Sequence, residues 1–280
     1  MCYMKTNIYH LDIIPINSII VHEKFDILRA TPLIKKITAD GALANPIIVA
    51  SLDKGTYLQL DGMNRLSAFK KMGFKTILAQ VVDYNDQESI ELSSWVHISD
   101  RECEILNRWI ETLGNLTMRQ GKLENVGHRY IREDGFGRIC TVIMKNKDVY
   151  LISSNGNLHE KVHNLDAFVS CYHDSIVRDV LPLNATLGSI DLLFLEHPGA
   201  CMIIIFPTFT RHQIIDVAKK GGLFPAGITR HIVKRRCLSV DVPLSIFSGH
   251  NPIKKQRDLF DNFISKRCFR VYEEPTIYFE

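Results

Sequence analysis

The chain has 280 residues, 46% of them hydrophobic and 23% charged, with a net charge of +3. That composition describes a globular protein with enough chain for one large or two ordinary domains, and it excludes a disordered tract. No apolar run approaches the ~20 residues of a membrane span, so no membrane association is expected.

The charge is too small to imply nucleic acid. It is uneven, however: residues 211–280 carry 13 Lys/Arg against 7 Asp/Glu. A basic quarter suits an anionic ligand or partner, though a solvated face is the commoner outcome. The seven cysteines are scattered and contain no C-x-x-C pair. They point to reduced thiols rather than a disulfide framework or a zinc ribbon. Residues 1–7 lack the apolar core of a secretion signal, so the expected location is cytoplasmic.

In chain order, residues 8–14 read as a strand, 15–17 as a turn, and the next residues to Val21 as a second short extended piece. A helix is predicted over 31–40, with Thr31 as N-cap and Pro32 at its first position, stopped by Gly41. Strands follow at 46–51 and 57–60, a helix at 67–72 and a strand at 76–84. After a polar connection at 85–89, a helix is predicted over 101–113 on the spacing of Ile105, Leu106, Trp109, Ile110 and Leu113. Strands are expected at 139–144 and 149–153, and mostly helix over 158–182. Two apolar strands at 190–195 and 200–206 come next. A helix at 213–220, an extended run at 237–247, a helix at 251–266 and a last strand at 271–279 complete the pattern. The expected fold class is α/β (α+β), divided into residues 1–100 and a larger mixed α+β unit over 101–280.

The stretch 56–73 carries the first functional signal. A strand runs into Asp61-Gly62, and a helix follows at once, with Leu66, Phe69 and Met72 on one side. Free backbone N–H groups then stand at a helix N-terminus, a geometry that binds phosphate, and Arg65 in the first turn can grip the same anion. Most such turns bind nothing, and by local pattern alone the ordinary structural reading is favoured.

Asp61-Gly62-x-x-Arg65, followed by an amphipathic helix ending in Gly73, resembles the nucleotide-binding box of the ParB/sulfiredoxin superfamily. Upstream, Gly41 to Val49 resembles that superfamily's Gly-x-x-x-x-Pro-Ile-x-Val strand. Two well-known members are poor matches. The segment after this unit is rich in strands and has no convincing helix-turn-helix, unlike partition proteins. The box holds no Cys, unlike sulfiredoxin.

Further blocks sharpen the resemblance. Val21-His22-Glu23, Ser94-Trp95-Val96-His97 and Pro225-Ala226-Gly227-Ile228-Thr229-Arg230-His231, with Arg236-Cys237-Leu238 and Val242-Pro243-Leu244, are similar to the free L-serine kinases of the superfamily, of siderophore-cluster and archaeal type. The resemblance runs from about residue 8 to about residue 247.

It implies phosphoryl transfer from a Mg²⁺-bound nucleotide, ATP or ADP, to the hydroxyl of L-serine. That chemistry needs in-line placement, neutralised phosphates and a proton acceptor. Glu23 matches the family's catalytic Glu and takes the base role; local sequence alone would prefer a surface Glu. Asp61 matches the Asp of the nucleotide box and is expected to be catalytic and to hold the metal, or else to cap the following helix. Gly62, Met63, Asn64 and Arg65 should contact the nucleotide; His often stands in relatives where Met63 and Asn64 stand here. Lys36, and more weakly Arg29, are further phosphate candidates.

Trp95, Thr229 and His231 match positions that wall the serine pocket and bind its carboxylate; core and strand-start roles are the ordinary alternatives. Asp216 on the 213–220 helix is expected to be solvated rather than in the site. Cys171 and His173 offer a weak metal or haem pair. The product, O-phospho-L-serine, is expected to pass to a pyridoxal-phosphate-dependent synthase making cysteine or 2,3-diaminopropionate. The rival reading is a nucleotide- or cofactor-sensing regulator binding DNA or a partner protein. DNA binding is not expected without a helix-turn-helix, and a regulator has no need of Glu23, Thr229 and His231.

Overall fold

A computed structural model describes residues 10–271 apart from 26, 54, 103, 124–129, 183 and 184, with the side chains of 27–30 and 104 also undescribed. The strand expected at 271–279 lies outside these residues but for Val271, as does the side chain of Arg29.

The first unit holds β1 (Leu11–Pro15), β2 (Ile19–Ile20), α1 (Ile27–Asp40), β3 (Ala42–Leu43), β4 (Ile47–Asp53), β5 (Thr56–Asp61), α2 (Met63–Lys71) and β6 (Thr76–Val82). Five of its strands form a mixed sheet in the order β1-β6-β4-β5-β2. A second sheet begins at Ile90. β7 (Ile90–Ser99) pairs with β11 (Val177–Val180) and β12 (Met202–Ile205) along one half and with β13 (Thr229–Val233) along the other. β9 (Gly137–Met144), β10 (Val149–Ser154) and β8 (Leu116–Gly121) extend this antiparallel sheet. The helices α3 (Glu104–Leu113), α4 (Leu158–Ser170), α5 (Leu187–Glu196) and α6 (Arg211–Lys219) pack on its faces.

The chain then returns to the first unit. β14 (Val242–Pro243) pairs with β3, and α7 (Ile253–Ile264) packs beside β1. Val240, Val242, Ile246, Phe247 and Phe260 join α1, α2 and the first sheet in one core. Arg257 seals this junction with two hydrogen bonds to the Asp12 carboxylate, at 2.7 and 2.8 Å.

Both sheets are buried on both faces, which explains runs such as Ile47-Ile48-Val49-Ala50 and Met202-Ile203-Ile204-Ile205. Alternation sends Ile47 and Val49 into the first core and Ile48 and Ala50 into a central core, where α4, α6 and Phe224 meet them. In the same way Ile204 faces the central core while Ile203 and Ile205 face a third one under α5.

Four local expectations are corrected. Residues 190–195 belong to α5 rather than a strand; a short apolar run does not declare its period, and Ser189 Oγ accepts from the Thr186 N–H at 3.2 Å where the helix begins. α1 begins at Ile27, so Pro32 lies inside it, past the first turn, and leaves the ladder one N–H short. α4 ends at Ser170, and Val177–Val180 become β11 because β7 offers them a ladder. Residues 237–247 are mostly not extended, holding only the two-residue β14 and a 3-10 turn over Leu244–Phe247.

Candidate functional site

The site lies where the returning chain meets the first unit. Glu23 follows β2 and bridges to Phe224, with the Lys24 N–H on the Phe224 carbonyl at 2.9 Å and the Phe224 N–H on the His22 carbonyl at 2.8 Å. These bonds fix the Glu23 backbone beside the loop 225–228. The Glu23 carboxylate then accepts two hydrogen bonds. The Gly227 N–H donates to Oε1 at 2.7 Å, and Thr229 Oγ1 donates to Oε2 at 2.6 Å.

A threonine hydroxyl has one hydrogen, so with Glu23 ionised Thr229 must accept from His22, whose Nε2 lies 2.8 Å away. Burial raises the Glu23 carboxyl to about 7, and the bonds from Thr229 and Gly227 and the charge of Arg178 act against that rise. Burial likewise lowers His22 to about 4 and leaves it neutral at physiological pH.

Asp61 ends β5, and Gly62 turns the chain into α2 with φ +88°. A Cβ at Gly62 would lie 2.8 Å from both Arg65 Nη2 and Ile47 Cγ2, so both conformation and space require glycine there. Gly62, at the N-cap, has no side chain to cap the first-turn N–H groups of α2. Arg65 Nη2 reaches Asp61 at 3.5 Å, and Arg236 forms a short ion pair with the same carboxylate. Burial alone would raise Asp61; Arg65, Arg236 and the Gly62 N–H overcome it and hold the carboxyl below its usual range. Gln80 anchors the Arg236 segment, donating to the Arg235 carbonyl at 2.7 Å and accepting from the Cys237 N–H at 3.0 Å.

The expected residues separate into groups. Glu23, Thr229 and Asp61 come together at this junction. His231 lies beside them, its ring 5.3 Å from that of His22 and its Nε2 2.8 Å from the Tyr84 hydroxyl. Burial pushes His231 down to about 3. Alternation along β13 sends Thr229 and His231 to one face and Arg230 to the other, where its guanidinium lies 4.9 Å from the Trp95 ring. Met63 turns its side chain into the first core and leaves only its backbone for a ligand. Asn64 is in the first turn of α2. Lys36 is exposed on α1.

Asp216 is paired with His159 at 2.9 Å and with Lys220 at 2.9 Å, away from the cluster as expected. Cys171 donates to the Ala167 carbonyl and His173 is bonded to the Ser170 carbonyl, and no metal-ligating group of three appears among the described residues.

Sequence reasoning missed Arg178 and Tyr84, and quoted His97 in a block without giving it a role. Arg178 Nη2 donates to the Ala226 carbonyl at 3.3 Å, and nothing in Val177-Arg178-Asp179-Val180 announces that contact. His97 is fully buried; its Nε2–H donates to the Gly227 carbonyl at 2.9 Å, and its Nδ1 faces the Tyr172 hydroxyl at 3.3 Å. Burial lowers it to about 3.

The ParB N-terminal domain family matches residues 5–95. An ATP-dependent L-serine kinase from Desulfurococcus mucosus is 31% identical over 231 residues, covering 79% of this chain and 84% of its own. The chain belongs to the ATP-dependent L-serine kinase family. The ATP-dependent L-serine kinase SbnI of Staphylococcus aureus is 27% identical over 272 residues, 94% of this chain and 96% of that one. Two solved structures share the fold. C-terminally truncated SbnI superposes with a TM-score of 0.67 at 22% identity, covering 91% of this chain and 96% of that one. A free serine kinase in complex with AMP gives 0.66 at 16% identity, covering 88% and 96%. These structural matches span both sheets, and among the described residues no helix is long and apolar enough to cross a membrane.

Proposed function

We propose that this chain transfers the γ-phosphoryl group of ATP to the hydroxyl of free L-serine, giving O-phospho-L-serine and ADP. The observation that carries the reading is the Glu23 carboxylate, doubly hydrogen-bonded and within electrostatic reach of Asp61, the residue before the turn into α2. A buried carboxyl near 7 is a base matched to neutral pH.

Glu23 accepts the serine proton as the new O–P bond forms and the bond to ADP breaks. The backbone N–H groups of Met63 and Asn64, brought round by the turn at Gly62, hold the phosphates with the Arg65 guanidinium, and Lys36 is a peripheral phosphate contact. Asp61 is kept ionised and partly exposed, which suits a Mg²⁺ carried mainly by nucleotide phosphates and held by one protein carboxylate. The metal would neutralise phosphate charge as it is transferred. Thr229 and His231 are assigned to the serine side, Thr229 nearest the base; Trp95, expected there as an aromatic wall, stands with Arg230 on the other face of the sheet.

The product carries a leaving group on its β-carbon, which suits a pyridoxal-phosphate enzyme making cysteine or 2,3-diaminopropionate. The setting is the cytoplasm, in keeping with the five described cysteines being free.

Phosphorus NMR on the purified protein with Mg²⁺, L-serine and either ATP or ADP tests this. A phosphoserine signal with ATP that disappears in Glu23→Ala is expected. Nucleotide binding without phosphoserine from the native protein overturns it.

A further inference from the structure

Glu23 is buried enough that its proton affinity rises, yet a base must begin ionised. The groups that oppose burial therefore decide where in pH the site works. Two of them touch the carboxylate directly, Thr229 Oγ1 and the Gly227 N–H. The third, Arg178, acts from behind.

Arg178 stands on β11 directly across the ladder from His97. Its Nη2 donates to the Ala226 carbonyl at 3.3 Å. The Ala226–Gly227 peptide is trans, so its carbonyl and its N–H point opposite ways. The carbonyl faces Arg178, and the N–H rests on Glu23 Oε1 at 2.7 Å. A cation thus sits at the negative end of a peptide dipole whose positive end meets the carboxylate. Gly227 makes the approach possible: it has φ +76°, and a Cβ there would collide with Arg178 Nε. The next peptide is held as well, by His97 Nε2–H on the Gly227 carbonyl.

We propose that Arg178 is a positioning residue for the reaction: it clamps the Ala226–Gly227 peptide against Glu23 and so favours the charged form of that carboxylate, without touching either substrate. This rests on Glu23 being the base. The other ionisable groups facing Glu23 do not supply the same help. Asp61, at the end of β5, is an anion that opposes ionisation. His22 and His97 are buried and neutral. Lys24 is exposed and paired with Asp166 at 2.6 Å.

The test is a carboxyl-¹³C NMR titration of the full chain labelled at glutamate, without substrates, using Glu23→Gln to identify the signal. In Arg178→Gln the Glu23 midpoint is expected to rise by about one pH unit or more, and in Arg178→Lys by less. The acid limb of kcat/KM for phosphoserine formation should move with it. Below the midpoint the rate then falls about tenfold for each pH unit the limb moves, while KM for serine stays unchanged. An unmoved Glu23 midpoint in the folded variants overturns the proposal, as does a raised KM for serine with the pH limb in place, since that is the mark of a substrate ligand. Should Arg178→Gln fail to fold, Arg178→Lys decides in its place: a raised midpoint supports the clamp, and an unmoved one overturns it. Because the midpoint is read without substrates, failure of the kinase reading would appear separately, as no phosphoserine from the native protein.

Discussion

At the scale of single residues, Glu23 is the proposed base, and its burial also has a cost. Replacing it by Gln leaves the shape and removes the base, so kcat should fall roughly 10²–10⁴-fold with little change in nucleotide affinity, as turnover and calorimetry would read. Native activity should decline below about pH 7, where the carboxyl takes up its proton. The stability effect has the opposite sense. Folding raises this carboxyl above its unfolded value of 4.5, so the folded state binds the proton more tightly. Stability is then full below 4.5 and is lost as pH rises through about 7. Glu23→Gln escapes that loss and should be more stable than the native protein at pH 8, by on the order of 1–3 kcal/mol, the two melting curves converging toward acid. A native protein more stable than the variant at pH 8 would contradict the burial of this carboxylate.

Asp61 answers differently because it is already held ionised. Asp61→Asn releases Arg65 and Arg236 from a shared carboxylate, and turnover should lose its ordinary Mg²⁺ dependence while the fold persists. Unchanged activation by Mg²⁺ in Asp61→Asn would remove Asp61 from the metal-holding role.

At the scale of elements, the turn into α2 is the most constrained point in the first unit. Gly62→Ala would meet a left-handed backbone and two close neighbours at once, Arg65 and Ile47. Relief requires Arg65 to swing aside or the helix start to shift, and either one disturbs the proposed phosphate cradle. Calorimetry should show ATP affinity at least roughly tenfold weaker, a loss of ~1.4 kcal/mol. Native affinity in Gly62→Ala would mean that the nucleotide does not sit on this turn.

At the scale of the whole molecule, the C-terminal segment is part of the first unit's core. Phe247 is 1% exposed and packs edge-on against Phe69 at 5.3 Å between ring centroids. Phe247→Ala should cost about 3–5 kcal/mol in urea unfolding, although it lies far along the chain from the strands it supports. A cost below about 1 kcal/mol would mean that this segment merely rests on the surface. The same return path brings Arg236 to Asp61 and Thr229 to Glu23, so the site exists only when both ends of the chain are docked.

The sequence by itself determined the local pieces. Tyr57 to Gly73 read as strand, turn and helix because period-two spacing, an Asp-Gly turn and helical spacing follow one another within a few residues, and β5, Gly62 and α2 stand there. The blocks at Glu23, Asp61 and Thr229 were legible through family resemblance, since each is a contiguous string. Tertiary structure alone decided the rest. The 190–195 run is helix, and β11 is strand, because neighbours elsewhere in the chain supplied the burial and the ladder. Trp95 and Thr229 lie on opposite faces because register, which no local pattern sets, fixed the alternation. Arg178 had no signal at all. Its place behind Glu23 depends on a strand pairing with β7 and on a glycine 49 positions later that leaves room for it, contacts whose energy appears only when distant segments close on one another.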